Sequence, residues 1–194
     1  NSYNVTAYRI LYQICPSEDI LSELDRLDPL SHFADAERML AGKITAEQLA
    51  ESIKEELDWQ NYIEFAAFYY NLGLNCKAAK ILDACQTDNA LISLWKAYLA
   101  DDKDAVAAAE NQSIELVFPF REESAEVLAW AAANGGGWRT SYLYAMLSDF
   151  LGDKARAAEL LADDTSDYAP YYAYRALLKG SKEDMQKASE LDPK

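Results

Sequence analysis

The sequence predicts an all-α fold built from short helices paired into stacked antiparallel hairpins. Three observations carry this expectation. Only 7 Gly and 5 Pro interrupt 194 residues, and the long stretches between them are rich in Ala, Leu, Glu, Lys and Tyr, a composition that favours helix. Helix-starting and helix-ending residues recur at the ~10–14-residue spacing of ordinary globular helices. The chain also matches itself at a shift of 79 residues, the mark of a repeat architecture.

Taken in order, helices are expected near 3–14, 17–27 and 30–41, then at 45–57, 59–73, 75–86, 89–100 and 102–110. Thr45 and Gln48 have the spacing of a capping box at the start of the fourth. The segment Ile114-Glu115-Leu116-Val117-Phe118-Pro119-Phe120 breaks the pattern, because Pro119 forbids a helix interior. An extended connector over 111–121 is the expectation there. Helices resume at 122–133, 138–151, 153–162, 167–179 and 181–191. Turns of two to four residues between such helices make neighbours antiparallel. The expected organisation over 1–194 is one helical-repeat domain, with N-terminal helices in 1–44, a first unit in 45–110 and a second in 122–194. The chain opens on Asn1-Ser2-Tyr3 and stops at Leu191-Asp192-Pro193-Lys194, inside a repeat-like junction. A piece of a longer protein is therefore expected.

The internal repeat aligns Thr45–Ala109 with Ser124–Ala188 without gaps and gives 17 identities in 65 positions. Trp59 falls on Trp138, Leu72-Gly73 on Leu151-Gly152, Ala78-Ala79 on Ala157-Ala158 and Leu82 on Leu161. Conservative pairs include Phe65 with Tyr144 and Trp95 with Tyr174. Gly73 and Gly152 stand where a left-handed residue would end one helix and turn into the next. The alanine pairs place small side chains one turn into the following helix, where two helices must approach closely.

Composition excludes whole classes of function. Hydrophobic residues at 51% and charged residues at 26% are incompatible with disorder. With 18 Lys and Arg against 33 Asp and Glu the net charge is −15, which repels phosphate backbones and anionic lipid. Neither nucleic acid nor a membrane is an expected partner, and no apolar run reaches the ~18–20 residues of a membrane span. Cys15, Cys76 and Cys85 are too few for a disulfide framework and read as buried free thiols.

Catalytic and cofactor templates fail in turn. His32 is the sole histidine, so a His-rich metal site and an HExxH zinc site are excluded, and its place at an expected helix start reads as structural or solvent-facing. Gly135-Gly136-Gly137 follows a helix and lacks a Lys-Ser/Thr successor, so it reads as a flexible turn and not as a phosphate loop. Asp101-Asp102-Asp104 and Asp163-Asp164-Asp167 lack the glycine and terminal glutamate of a calcium loop and read as solvated turns and helix N-termini. No spacing places two carboxylates in one cleft for glycoside hydrolysis. No catalytic residue, cofactor or metal is expected. The 13 Tyr and 4 Trp are the notable excess, and most are expected to fill the core.

Phe65, Tyr69, Gly73, Ala78, Leu82 and Cys85 follow the large, aromatic, glycine, small, large, small order of a tetratricopeptide repeat, which this stretch resembles. Tyr144, Ser148, Gly152, Ala157, Leu161 and Asp164 keep four of the six. Leu27-Asp28-Pro29 and Leu191-Asp192-Pro193 look like the family's junction between repeats. The chain also resembles the repeat region of a group of large bacterial proteins. It does so through Asp28-Pro29-Leu30-Ser31-His32-Phe33-Ala34, Tyr69-Tyr70-Asn71-Leu72-Gly73-Leu74, Leu116-Val117-Phe118-Pro119-Phe120-Arg121-Glu122-Glu123 and Asp167-Tyr168-Ala169-Pro170-Tyr171-Tyr172. In that group a β-sandwich region resembling carbohydrate-active proteins, of uncharacterised function, precedes the array.

The resemblance implies a tetratricopeptide-like α-solenoid whose first helix in each hairpin lines a concave groove. Carried over position by position, the groove residues are Gln60, Ile63, Ala67, Tyr70 and Asn71 in one hairpin and Arg139, Tyr142, Met146, Asp149 and Phe150 in the other. The implied function is a non-catalytic interaction or scaffolding module for a protein or peptide partner, or for the parent protein's own N-terminal domain. The alternative is a spacer or homodimerisation arm attached to a carbohydrate-processing enzyme domain. A cytoplasmic location is favoured, with periplasm or secretion following if a signal lies upstream. Replacing Ala78 or Ala157 with Leu is expected to overpack its helix contact at a cost of ~1–3 kcal/mol. Thermal melting checks this, and variants that melt within about a degree of the parent would refute the hairpin assignment.

Overall fold

A computed structural model describes residues 4–162 and 166–192, and among these the chain forms thirteen α-helices and no strand. Backbone contacts divide the chain into two compact units, one ending at Thr87 and one starting at Asp88. The first holds α1 (Val5–Ile14), α2 (Glu18–Leu27), α3 (Phe33–Leu40), α4 (Ala46–Ile53), α5 (Trp59–Asn71) and α6 (Asn75–Ala84). The second holds α7 (Ala90–Ala100), α8 (Asp104–Ala109), α9 (Ser124–Ala133), α10 (Trp138–Phe150), α11 (Lys154–Leu160), α12 (Ala169–Lys179) and α13 (Lys182–Leu191). The division falls between α6 and α7, inside the first copy of the 79-residue repeat. Sequence copy and compact unit are therefore different partitions of this chain.

Each expected helix is present, and local chemistry sets its ends. Asn4, Ser17, Asn89, Asp153 and Ser181 each accept a hydrogen bond from a backbone N–H of the first turn that follows. Thr45 and Gln48 form the full capping box of α4. Most ends fall within two residues of expectation, and the two largest shifts are inward. α3 starts at Phe33 because His32 is left-handed, with φ 52°, and α4 ends at Ile53 because Lys54 leaves helical geometry. Asn1–Tyr3, Asp163, Asp164 and the terminal Pro193-Lys194 lie outside the described residues.

The two matched turns have the same geometry. Gly73 has φ +71° and Gly152 φ +93°. The Leu74 N–H donates to the Tyr69 carbonyl at 2.9 Å and the Asp153 N–H to the Ser148 carbonyl at 2.8 Å. With the glycine N–H groups bonded to Tyr70 and Asp149, both are Schellman motifs. Beyond each turn, α6 packs on α5 and α11 on α10, and Ala78 and Ala157 have no exposed surface. The connector departs from expectation. Leu116 is left-handed, with φ 56°, and the Val117 N–H bonds back to the Ile114 carbonyl at 3.1 Å. A turn thus interrupts the extended run, burying Ile114 and Val117 while Leu116 and Phe118 face solvent.

The first unit closes around a buried carboxylate. Glu37 on α3 is 1% exposed and accepts from Tyr69 Oη at 2.9 Å, Lys77 Nζ at 2.9 Å and Gln13 Nε2 at 2.5 Å. Lys77 also donates to Gln13 Oε1 at 2.6 Å and stands over the Tyr69 ring at 5.3 Å. Four helices, α1, α3, α5 and α6, meet in this network. Burial, with the Glu37 charge added, pushes the Tyr69 phenol well above its ordinary value. Around it Phe33 packs against Phe65, Phe68 and Tyr69 at centroid distances of 6.3, 5.1 and 6.1 Å.

In the second unit, Trp95 Nε1 donates to Ser124 Oγ at 3.0 Å inside the core, tying α7 to the start of α9. Leu91, Leu94, Val127, Leu128, Leu143 and Leu147 are buried in the same unit.

Glu37→Ala is expected to destabilise the chain by roughly 2–3 kcal/mol, because it leaves the Tyr69 phenol and the Lys77 ammonium without their charged acceptor. Denaturant unfolding measures this, and a loss below about 0.5 kcal/mol would show that the network does not hold the unit.

Candidate functional site

The candidate site is built on α10, whose position is fixed from outside the helix. Gly135-Gly136-Gly137 joins α9 to α10 as the expected turn, closely packed at its middle residue. A Cβ on Gly136 would lie 2.8 Å from Thr140 Cγ2 and 2.9 Å from the Ala131 carbonyl oxygen, so close approach requires a glycine there. Gly137 offers no side chain to cap α10, and the cap comes from the end of α8. Glu110 Oε2 accepts from the Arg139 N–H at 3.1 Å, and Oε1 accepts from the Thr140 N–H at 2.9 Å and from Thr140 Oγ1 at 2.5 Å. A carboxylate here meets both the unpaired N–H groups and the positive end of the helix dipole.

From that anchored start, α10 presents an aromatic face to α12. Trp138 stacks on Tyr168 at 6.1 Å and meets Tyr171 edge-on at 5.9 Å. Tyr142 contacts Tyr168, Tyr171 and Tyr174 at 5.9, 6.0 and 6.0 Å. Edge-to-face and offset pairs at these distances are favourable beyond the area they bury. Burial pushes the Tyr142 phenol up to about 12, with the Tyr168 phenol adding to the effect.

One turn further on, the face opens into a cleft of about 350 Å³ lined by Tyr142, Met146, Asp149, Phe150 and Tyr174. Tyr174 Oη donates to Asp149 Oδ2 at 2.9 Å. Burial and this bond raise the Tyr174 phenol above its ordinary value. Phe150, the last residue of α10, is 71% exposed. It also lines a second depression with Phe120, Arg121, Glu122 and Leu151.

The sequence-derived groove positions divide between the two hairpins. Tyr142, Met146, Asp149 and Phe150 come together in the α10–α12 cleft. Arg139 stands apart, with its guanidinium 4.4 Å over the Trp138 ring and its Nε buried without a hydrogen-bond partner. On α5, Ile63 and Ala67 are fully buried and have no surface for a partner, Gln60 and Tyr70 are half-buried, and Asn71 is exposed. Tyr174 is the cleft residue that the groove positions omitted. Its signal lay in the repeat, where it falls on Trp95, another large aromatic.

Among the described residues no group of three or more His, Cys, Asp or Glu could hold a metal ion. Asp102 Oδ1 accepts from the N–H groups of Asp104 and Ala105 and so starts α8. Of the three cysteines only Cys85 is buried. Cys15 and Cys76 are exposed at surface positions of α1's end and of α6, which corrects the expectation for those two. No helix among the described residues is long and apolar enough to cross a membrane. Compared with protein-family models, with curated proteins and with solved structures, the chain has no match in any of the three.

The raised phenols give this face a pH dependence. Above the ordinary phenol value of about 10 the unfolded chain releases protons that the folded Tyr142 and Tyr174 retain, so stability present below pH ~10 declines as pH rises toward the folded values. Urea midpoints near pH 8 and near pH 11 test this. A drop is expected in the parent, smaller in Tyr174→Phe, and an unchanged midpoint would contradict the burial of these hydroxyls.

Proposed function

We propose that this chain is a non-catalytic protein-interaction module, a tetratricopeptide-like α-solenoid whose α10–α12 cleft seats a segment of a partner. The observation that carries the reading is the cleft itself. Four residues selected by position in the repeat line one depression with Tyr174, and a largely exposed aromatic stands at its rim. Aromatic anchors beside a concave surface are the usual carriers of binding energy at protein interfaces. The paired Schellman turns and buried alanines support the repeat on which the solenoid reading rests. The partner is a segment of another protein or of the parent protein's own N-terminal domain.

A second reading, the chain as a self-associating arm of a carbohydrate-processing protein, draws support from exposed apolar residues outside the cleft. Ile14 on α1 and Leu177 on α12 are each 76% exposed. Light scattering across a concentration series separates the two, because an arm of this kind gives a concentration-dependent homodimer.

Tyr142 is a poor probe of binding alone. It is 8% exposed and enclosed by three tyrosine rings, so its alanine variant would also lose about 3 kcal/mol or more of stability. Phe150→Ala and Met146→Ala are the cleaner changes. Both are expected to keep the parent's circular dichroism and melting behaviour while weakening partner retention about tenfold or more. Glu159→Ala on α11 serves as the exposed control. Retention unchanged by Phe150→Ala would refute the cleft as the binding surface.

A further inference from the structure

Resting on the reading of the α10–α12 cleft as a partner site, we infer that its occupant is a peptide segment bearing a Lys or Arg side chain next to an apolar residue. The first observation is an uncommitted carboxylate. Asp149 is half-buried in the cleft and one oxygen, Oδ2, is held by the Tyr174 phenol at 2.9 Å. Asp149 makes no ion pair among the described residues. The cations of this unit's neighbouring elements are engaged elsewhere. Arg121 pairs with Glu123, Arg156 with Glu159 and Arg175 with Asp184, while Arg139 lies over Trp138. Lys154, at the start of α11, makes no ion pair with Asp149 either.

The second observation is that this chain completes the same constellation elsewhere with a cation of its own. In the first unit, Tyr69 Oη donates to one oxygen of Glu37 while Lys77 Nζ binds the other at 2.9 Å and stands 5.3 Å over the tyrosine ring. In the second unit a carboxylate, a cation and ring faces meet without the phenol bond: Arg175 pairs with Asp184 and lies 5.4 and 5.1 Å over the rings of Tyr171 and Tyr172. The cleft repeats the first two parts, a tyrosine hydroxyl holding one carboxylate oxygen and aromatic rings around it, without the cation. A carboxylate and ring faces together attract an ammonium or guanidinium more strongly than either does alone.

The surroundings select in the same direction. Glu122 lines the neighbouring depression that shares Phe150, and Glu115 is close enough to act on the Tyr168 phenol. The whole chain carries a charge of −15, which steers a basic segment toward it and disfavours an acidic one. Met146 and the exposed Phe150 supply the apolar wall, which a cation alone leaves uncovered.

The test begins with random peptides displayed on phage and selected against the whole chain. Enrichment of Lys or Arg beside Leu, Met or an aromatic residue is expected. The best selected peptide is then synthesised and titrated calorimetrically against the parent, Asp149→Asn and Phe150→Ala, alongside a version in which its cation is replaced by a neutral isostere, citrulline for Arg or norleucine for Lys. Asp149→Asn and the neutral isostere are each expected to weaken binding about tenfold, and together scarcely more than either alone. Cation-free selected sequences, or full affinity in the neutral version, would overturn the inference. If Phe150→Ala still removed binding in that case, the cleft reading would stand without it. Peptides indifferent to Phe150→Ala, or no peptide selected at all, would overturn both. The neutral peptide on the parent chain keeps the test decisive even if Asp149→Asn fails to fold.

Discussion

Isolated helices shorter than ~12–15 residues are marginal in water, and α5 and α10, with 13 residues each, are as long as any described here. Every helix must therefore be held by its neighbours, and the neighbours must come close enough to exclude water. The buried alanines at 78 and 157 permit that approach, and the glycines at 73 and 152 reverse the chain so that it occurs between consecutive helices. Caps from Asn, Ser, Thr and Asp then satisfy the N–H groups that short helices expose in unusual proportion. A sequence poor in strand signals and punctuated at these intervals folds, over the described residues, as a succession of short helices.

Within each unit, one carboxylate placed far along the chain fixes what the hairpins leave undetermined. Glu37 gathers donors from three other helices into the interior of the first unit. Glu110 caps α10 from the end of α8, across 29 residues of sequence, and so sets where the aromatic face of α10 begins. Trp138, Tyr142, Met146 and Phe150 follow along the helix from that point. The helix that Glu110 caps at its start carries, near its other end, the Asp149 that meets Tyr174.

The helices were legible because their signals are local. Thr45 with Gln48, Asn89, Ser181 and the two turn glycines each act within four residues, and the structure places the ends accordingly. Four of the five cleft residues were legible for a different reason. The tetratricopeptide resemblance implied Tyr142, Met146, Asp149 and Phe150 as groove positions on a first helix, and helical geometry gathers such positions on one face. Contacts at long sequence separation left no such trace. Nothing near Glu110 marks it as a cap, and nothing near Gly136 shows that Thr140 and the Ala131 carbonyl will crowd it. The same positions on α5 failed as surface, with Ile63 and Ala67 in the core, because a repeat fixes which residues share a face and leaves open what covers it. Cys15 and Cys76 illustrate the same limit, since composition alone assigned them to the interior.

If the α10–α12 cleft seats a partner, its rim must touch another protein segment. Site-specific photo-crosslinking in the source cells asks this directly, with a benzoylphenylalanine at Phe150 compared with one at the exposed Glu159 on α11. A discrete adduct from the Phe150 position and none from the Glu159 position is the predicted result. Equal labelling from both positions, or none from Phe150, would contradict the account.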